Sequence, residues 1–109
     1  MSFRVDVLPN FEREAKHLLK KYKSLRSDLA ALISSLEQNP AQGTPLGSGF
    51  YKVRMAVASK GKGKSGGARI ITFVKVSRTI VYLVSIYDKS EKSTVTEPEL
   101  KFLIRQIPE

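Results

Sequence analysis

Thr79-Ile80-Val81-Tyr82-Leu83-Val84-Ser85-Ile86-Tyr87 is the stretch of this chain around which the rest can be arranged. Both the odd-numbered and the even-numbered positions of this stretch are mostly apolar, so a strand here would be apolar on both faces. The stretch is also rich in β-branched and aromatic residues, which favour strands. A strand that is apolar on both faces has to be covered on both sides. The sequence therefore predicts a central strand over 79–87, with other elements packed above and below it.

Further strands are predicted outward from this one. The segments 50–58 and 68–76 have strand character, and Ser77-Arg78 is short enough to be the hairpin turn before the central strand. Residues 3–7 alternate between apolar and charged side chains, which predicts a first strand. The segment 39–49 consists of turn-forming residues and is predicted to be a connector.

Three helices complete the predicted order. Apolar residues at spacings of three and four follow Asn10, a candidate N-cap, and a second amphipathic stripe opens near Ser24 or Ser27 and ends before Pro40. A capping box over residues 96–99 opens the last helix. We predict one α+β domain over residues 1–109, with a mostly antiparallel sheet, an N-terminal helical hairpin and a C-terminal helix, in the order β-α-α-β-β-β-α.

The charge of the chain is concentrated in its middle. The 109 residues have a net charge of +9, yet the stretch 38–87 contains eight basic residues and no acidic one. Such a one-sided field attracts a polyanion such as a nucleic acid, although a solvated basic face that maintains solubility is the alternative. The chain has no cysteine and a single histidine, His17, which we interpret as structural or superficial. Thiolate chemistry is thereby excluded, and a histidine-based metal cluster or triad is disfavoured.

Candidate site residues gather at the ends of the predicted strands. Lys52 and Arg54 fall on the same face of the strand 50–58, about 7 Å apart, which is comparable with the spacing of adjacent phosphates. The loop 59–67 follows with three lysines and four glycines, and Arg69 opens the next strand. Paired as hairpins, these strand ends would converge with Tyr87 in a cationic groove.

Four segments of the chain, in register over nearly its whole length, match the motifs of a known family. They are Lys52-Val53-Arg54-Met55, Gly63-Lys64-Ser65-Gly66-Gly67-Ala68-Arg69-Ile70, Ile86-Tyr87-Asp88-Lys89-Ser90-Glu91 and Thr96-Glu97-Pro98-Glu99-Leu100. With these segments the chain resembles the RelE toxin superfamily of type II toxin–antitoxin modules, and most of all its HigB-type branch. The resemblance implies a RelE-like fold and a ribosome-dependent endoribonuclease that cuts messenger RNA and is neutralised by a cognate antitoxin.

The resemblance also assigns roles to individual residues. The positions that match those used by the family for phosphate binding and catalysis are Lys52, Arg54, Lys64, Arg69 and Tyr87. Lys89 stands beside them, and Lys60 and Lys62 are expected to make diffuse phosphate contacts. Asp88 occupies a position where the HigB-type branch often has alanine. It is either a proton acceptor or a salt-bridge partner of Lys89.

RNA supplies its own nucleophile, the 2′-hydroxyl next to the scissile phosphate, so the expected reaction requires neither a metal nor a cofactor. Clustered cations repel one another, which makes Lys52 or Lys64 a conceivable general base. Arg54 and Arg69 would stabilise the phosphorane. Tyr87, expected at a partly exposed groove rim, would stack on a base or orient the 2′-hydroxyl.

A binding protein without chemistry is the alternative function. ParE-type toxins, which poison DNA gyrase, share the fold but lack the nuclease cluster, and a basic nucleic-acid-binding module would also fit the charge. For the nuclease, the expected partners are the ribosome, messenger RNA and an antitoxin with a helix-turn-helix. Neither a signal-peptide core nor an apolar run of 18 residues is visible, so we expect no membrane association and a cytoplasmic location.

Overall fold

The computed structural model describes residues 2–108, which form an α+β fold with one five-stranded sheet. The strands are β1 (Arg4–Val7), β2 (Thr44–Gly47), β3 (Phe50–Met55), β4 (Ala68–Lys75) and β5 (Ile80–Asp88). The helices are α1 (Pro9–Lys21), α2 (Leu25–Gln38) and α3 (Glu97–Ile104). The predicted α+β fold with a helical hairpin and a C-terminal helix is confirmed.

The sheet has the order β1-β5-β4-β3-β2, with β1 parallel to β5 and the remaining pairs antiparallel. Strand β5 therefore lies between two neighbours, and every one of its residues is buried. Helices α1 and α2 cover one face of the sheet, where Leu18, Leu36 and Ile70 share a core. Helix α3 covers part of the other face, where Leu103 packs in a second core. The prediction of a central strand covered on both sides is confirmed.

The predicted connector over 39–49 is wrong in one part, because residues 44–47 form the edge strand β2. Its register places Thr44 opposite Lys52 and Pro45 opposite Tyr51. Proline cannot donate a ladder hydrogen bond, and for that reason it is confined to edge strands and bulges. The turn composition that predicted a connector is thus also compatible with a short edge strand.

The start of α1 differs from the prediction at Asn10. Leu8 is the N-cap, and Pro9 occupies the first turn, where its missing N–H costs nothing. Asn10 lies inside the helix and is buried, and its amide donates hydrogen bonds to the carbonyl of Val84 (3.0 Å) and to Glu14 (2.9 Å). Asn10 therefore ties α1 to the central strand. At α3, by contrast, the predicted capping box of Thr96 and Glu99 is present.

A β-bulge in β5 changes which residues face each side of the sheet. Ile71 pairs with Ser85 and Thr72 with Leu83, which leaves Val84 without a partner in β4. Before the bulge, even-numbered residues such as Tyr82 pack in the core beneath α3. After it, the odd-numbered Tyr87 lies in that core. The extra residue thereby rotates Tyr87 onto the α3 side of the sheet.

Candidate active site

Three of the predicted site residues form a single row across three strands. Arg54 of β3 is paired with Arg69 of β4, and Arg69 is paired with Tyr87 of β5. Paired residues in an antiparallel sheet project to the same face, so all three belong to the face that also carries Lys52. The bulge at Val84 is what brings Tyr87 into this row.

Three cations surround a cleft of about 220 Å³ at the β2–β3 edge of the sheet. We call it the cationic cleft, and its main lining residues are Gln42, Gly43, Thr44, Lys52, Arg54 and Lys64. Gly43 allows the chain to run close to β3, because a Cβ there would lie 2.5 Å from the backbone oxygen of Lys52. Its φ of +100° is also a conformation that favours glycine. Sequence reasoning missed Gln42, Gly43 and Thr44, since their only signal was a turn-like composition.

The cations that line this cleft are not neutralised by ion pairs. Within residues 2–108, ion pairs are formed by Arg4, Lys21, Lys60 and Lys92, and none is formed by the basic residues around the cleft. Arg54, Lys62 and Lys64 are exposed and Lys52 is half-buried. An uncompensated cationic cleft on a sheet edge attracts anions.

Arg69 is placed differently from Arg54, although the two are paired. It is 4% exposed, and its guanidinium donates hydrogen bonds to the backbone oxygens of Lys64 (2.8 Å) and Ser65 (3.2 Å). These bonds hold the loop after β3 against β4. Arg69 therefore fixes the backbone from which the Lys64 side chain reaches the cationic cleft.

Tyr87 is buried, so the expectation of a partly exposed ring is wrong. It is 6% exposed, and the ammonium of Lys92 lies 5.3 Å from the centre of its ring. Its hydroxyl is also buried, and Thr94 approaches it without reaching hydrogen-bond geometry. Burial raises the pKa of Tyr87, opposed by the nearby charges of Arg69 and Lys92. The phenol is therefore neutral near pH 7 and is a hydrogen-bond donor rather than a base.

Asp88 and Lys60 form a buried pair on the opposite side of the sheet, beneath the end of α1. The Lys60 ammonium lies 2.5 Å from Asp88 Oδ1, and the Tyr22 hydroxyl donates to Oδ2 at 2.5 Å. Burial alone would raise the pKa of Asp88, but the hydrogen bonds from Lys60, Tyr22 and Ser90 outweigh it and hold that pKa well below the usual 3.8. Asp88 thus pairs with Lys60 and, at 3.8 Å, with the more exposed Lys21, whereas Lys89 donates to the Ser93 carbonyl (3.3 Å).

The structure therefore separates the predicted residues into groups. Lys52, Arg54 and Lys64 meet at the cationic cleft, with Lys62 exposed in the adjoining loop. Arg69 and Tyr87 are buried beside them, whereas Lys60, Asp88 and Lys89 are bonded elsewhere. In the described part of the chain, no three Asp, Glu or His side chains are grouped to hold a metal ion, and no helix is long and apolar enough to cross a membrane.

The fold and the cleft together are those of a small, basic α+β protein with an uncompensated cationic cleft at its sheet edge. The chain belongs to the RelE toxin family: residues 8–107 match the family model of the RelE toxin of the RelE/RelB toxin–antitoxin system. It is similar in fold to a mutant of the E. coli toxin RelE in the free state, in which two arginines are replaced by alanine. That likeness has a TM-score of 0.61 and 16% identity, and it covers 99% of this chain and 100% of that one. A crystal structure of the isolated E. coli RelE toxin is similar with a TM-score of 0.57, 16% identity and coverage of 97% and 100%, respectively.

Proposed function

We propose that this chain is a ribosome-dependent endoribonuclease of the HigB type, the toxin of a type II toxin–antitoxin module. The observation that carries the proposal is the cationic cleft, in which Lys52, Arg54 and Lys64 converge without an ion-pair partner among the described residues. Membership of the RelE toxin family supports it. The substrate of such a cleft is a phosphodiester, and the 2′-hydroxyl of RNA makes that phosphodiester cleavable without an added nucleophile.

The positions of the two cations on β3 support a chemical role for each of them. Lys52 lies on β3 between Thr44 and Ile71 and is half-buried, so we assign it the role of general base for the 2′-hydroxyl. Arg54, two residues along the same face, binds the non-bridging phosphate oxygens and stabilises the phosphorane. Lys64 approaches from the loop and assists the leaving group.

The reaction balances without a further reactant. The 2′-oxygen forms a bond to phosphorus and gives its proton to Lys52, while the bond to the 5′-oxygen breaks and that oxygen receives a proton, for which Lys64 is the candidate donor. The products are a 2′,3′-cyclic phosphate and a 5′-hydroxyl. Because amines are weak general acids and bases here, alignment of the RNA contributes a large share of the rate, and the ribosome supplies that alignment.

Arg69 and Tyr87 act as positioning residues in this proposal. Arg69 binds the loop carbonyls that precede it, and Tyr87 packs next to Arg69 with an unpaired donor. Tyr87→Phe removes only that hydroxyl and should leave the melting temperature unchanged. Tyr87→Ala should lower the free energy of unfolding by about 3–5 kcal/mol, because a buried aromatic ring is lost.

The partners follow from the same surface. An antitoxin has to neutralise or block the cationic cleft, so we expect it to present an acidic or amphipathic helix to this edge and to carry a helix-turn-helix for regulation. Messenger RNA in the ribosome is the substrate, and the cytoplasm is the expected location.

The decisive experiment is cleavage of messenger RNA on programmed ribosomes by the purified chain, followed by mapping of the ends. Arg54→Ala should lower the single-turnover rate about 10²–10³-fold, the loss typical of one donor to a developing oxyanion. Arg26→Ala is the matched control, because Arg26 is an exposed arginine on α2. Wild type and the control should leave 5′-hydroxyl ends at equal rates.

Two outcomes would contradict the proposal. If the wild type binds ribosomes but cuts no RNA, the chain is a binding protein or a ParE-like inhibitor of another target. If Arg54→Ala cuts as fast as Arg26→Ala, the cationic cleft is not the site of the reaction.

A further inference from the structure

A second cleft adjoins the cationic cleft and shares three of its lining residues. It measures about 300 Å³, at the lower end of the range of small-ligand sites, and it lies between β3 and α2. We call it the helix-side cleft, and it is lined in part by Asp28, Leu32, Ser35, Gln42, Met55 and Ala56. Arg54 and Lys64 stand on the boundary, because they line both clefts. A molecule bound to these two cations therefore extends naturally from one cleft into the other.

The two clefts differ in charge, which decides what each can hold. The cationic cleft has Lys52 in addition to the two shared cations, whereas the helix-side cleft adds a carboxylate, that of Asp28. The cationic cleft therefore favours a phosphate. The helix-side cleft disfavours one, because the carboxylate of Asp28 and a phosphate are both negatively charged. The helix-side cleft has apolar walls from Leu32, Met55 and Ala56, which suit the faces of a flat ring. The lining of the helix-side cleft thus suits a nucleobase whose phosphate lies in the cationic cleft.

Gln42 presents a fixed acceptor at the junction of the clefts. Its amide nitrogen donates hydrogen bonds to the Ser35 hydroxyl (2.9 Å) and to the Asn39 carbonyl (3.0 Å). A backbone carbonyl only accepts, so the contact with Asn39 assigns the nitrogen and oxygen of the amide. Both N–H groups are thus used at the end of α2, and the amide oxygen makes no hydrogen bond within residues 2–108.

We propose that the helix-side cleft is a nucleobase subsite, in which the amide oxygen of Gln42 accepts a hydrogen bond from the exocyclic amine of a base next to the phosphate held by Arg54 and Lys64. The inference rests on the proposed function for the RNA substrate and adds its base preference. Cytosine presents an amine where uracil presents a carbonyl, so the subsite selects cytosine over uracil. Two acceptors, the Gln42 oxygen and the uracil oxygen, would face each other in the disfavoured case.

The test measures binding separately from cleavage. The 2′-O-methyl trinucleotides UCU and UUU cannot be cut, because the attacking hydroxyl is capped, and they differ in a single base. Their dissociation constants are measured by NMR titration of the full chain. Wild type should bind UCU about five-fold more tightly than UUU, the factor that one net hydrogen bond supplies. In Gln42→Ala the ratio should fall to about one.

Gln38→Ala is the matched control, since Gln38 is an exposed glutamine at the end of the same helix. It should keep the wild-type ratio. The subsite is overturned if wild type does not distinguish the two trinucleotides, or if Gln42→Ala keeps the preference. These results are separate from those on the reaction. Loss of cleavage with the cytosine preference intact would overturn the nuclease, and cleavage with no preference would overturn the subsite.

Discussion

Lys60 and Lys64 belong to the same lysine-rich loop, four positions apart, yet they lie in opposite environments. Lys60 turns inward, where its side chain is 9% exposed and pairs with Asp88, and its ammonium also lies 5.6 Å from the centre of the Tyr22 ring. Lys64 turns outward and lines the cationic cleft, with no carboxylate partner among residues 2–108. One lysine stabilises the fold, whereas the other is available to an anion. The net charge of the chain counts the two lysines equally. Their different roles become visible only from the partner that each one has.

The largest effect is expected at the buried pair. Asp88→Asn leaves the Lys60 ammonium buried without its counter-ion, and such a break typically costs about 3–5 kcal/mol. The free energy of unfolding, measured by urea titration, should fall by that amount. The double variant Lys60→Met, Asp88→Leu should recover part of the loss, because neither charge is then left unpaired. If the Asp88→Asn protein were as stable as wild type, the Lys60–Asp88 pair would not stabilise the fold, and Lys60 would not differ from Lys64 in this respect.

The next largest effect is expected at Arg69. Arg69→Ala removes the bonds to the Lys64 and Ser65 carbonyls, which frees the loop and misplaces the Lys64 side chain. We expect single-turnover cleavage to fall about 10²-fold, the loss that an error of about 1 Å in a catalytic group can cause. Binding to RNA should change little, because Arg69 is buried. Equal losses in binding and in rate would mean that Arg69 contacts the phosphate directly.

The buried pair also gives the stability a pH dependence of known sign. The pKa of Asp88 is lower in the folded chain than its ordinary value of 3.8, so the stabilisation is fully present above about pH 5 and decreases as the pH falls further. Asp88→Asn lacks this contribution. The difference in free energy of unfolding between wild type and Asp88→Asn should therefore shrink between about pH 5 and about pH 2. A constant difference over that interval would show that Asp88 is not held in its ionised form.

The smallest effect is expected in the salt dependence of RNA affinity, which should distinguish the outward-facing Lys62 from the inward-facing Lys60. Lys62→Ala should reduce the slope of log affinity for RNA against log salt by about one unit, as expected for one lost phosphate contact. Lys60→Ala should leave the slope unchanged in the fraction that remains folded. The comparison is made by fluorescence anisotropy with a labelled single-stranded RNA. A reduced slope for both variants would assign Lys60 to the RNA surface after all.

Much of the fold was predictable because local patterns coincided with the final packing. The apolar run of β5 predicted a covered strand, and the signals at Thr96 and Glu99 predicted a helix start that the structure contains. Strand β2 escaped prediction because an edge strand with Pro45 needs few of its own hydrogen bonds. The predicted opening of α1 failed because the buried amide of Asn10 bonds to Val84, a contact made only after folding.

The candidate site was predictable only where the sequence and the sheet register agree. Arg54 and Lys52 have fixed positions on a regular strand, so their shared face followed from alternation. The burial of Tyr87 and the pairing of Lys60 depend on residues far away in the chain, including Lys92 and Asp88. Because β5 is apolar on both faces, the change of alternation at Val84 leaves no trace in the pattern of residue types.

The number of residues in β5 around this bulge decides whether Tyr87 or Asp88 lies on the face of the cations. With one residue inserted after the bulge, between Ser85 and Ile86, and no further adjustment, Asp88 would move to the face of Arg54 and Arg69, and Tyr87 would face α1 in its place. An anion would then sit among the cations, and Lys60 would lose its counter-ion. A single added codon in the middle of β5, with every functional side chain still encoded, would thus damage the stability and the cationic cleft of this chain together.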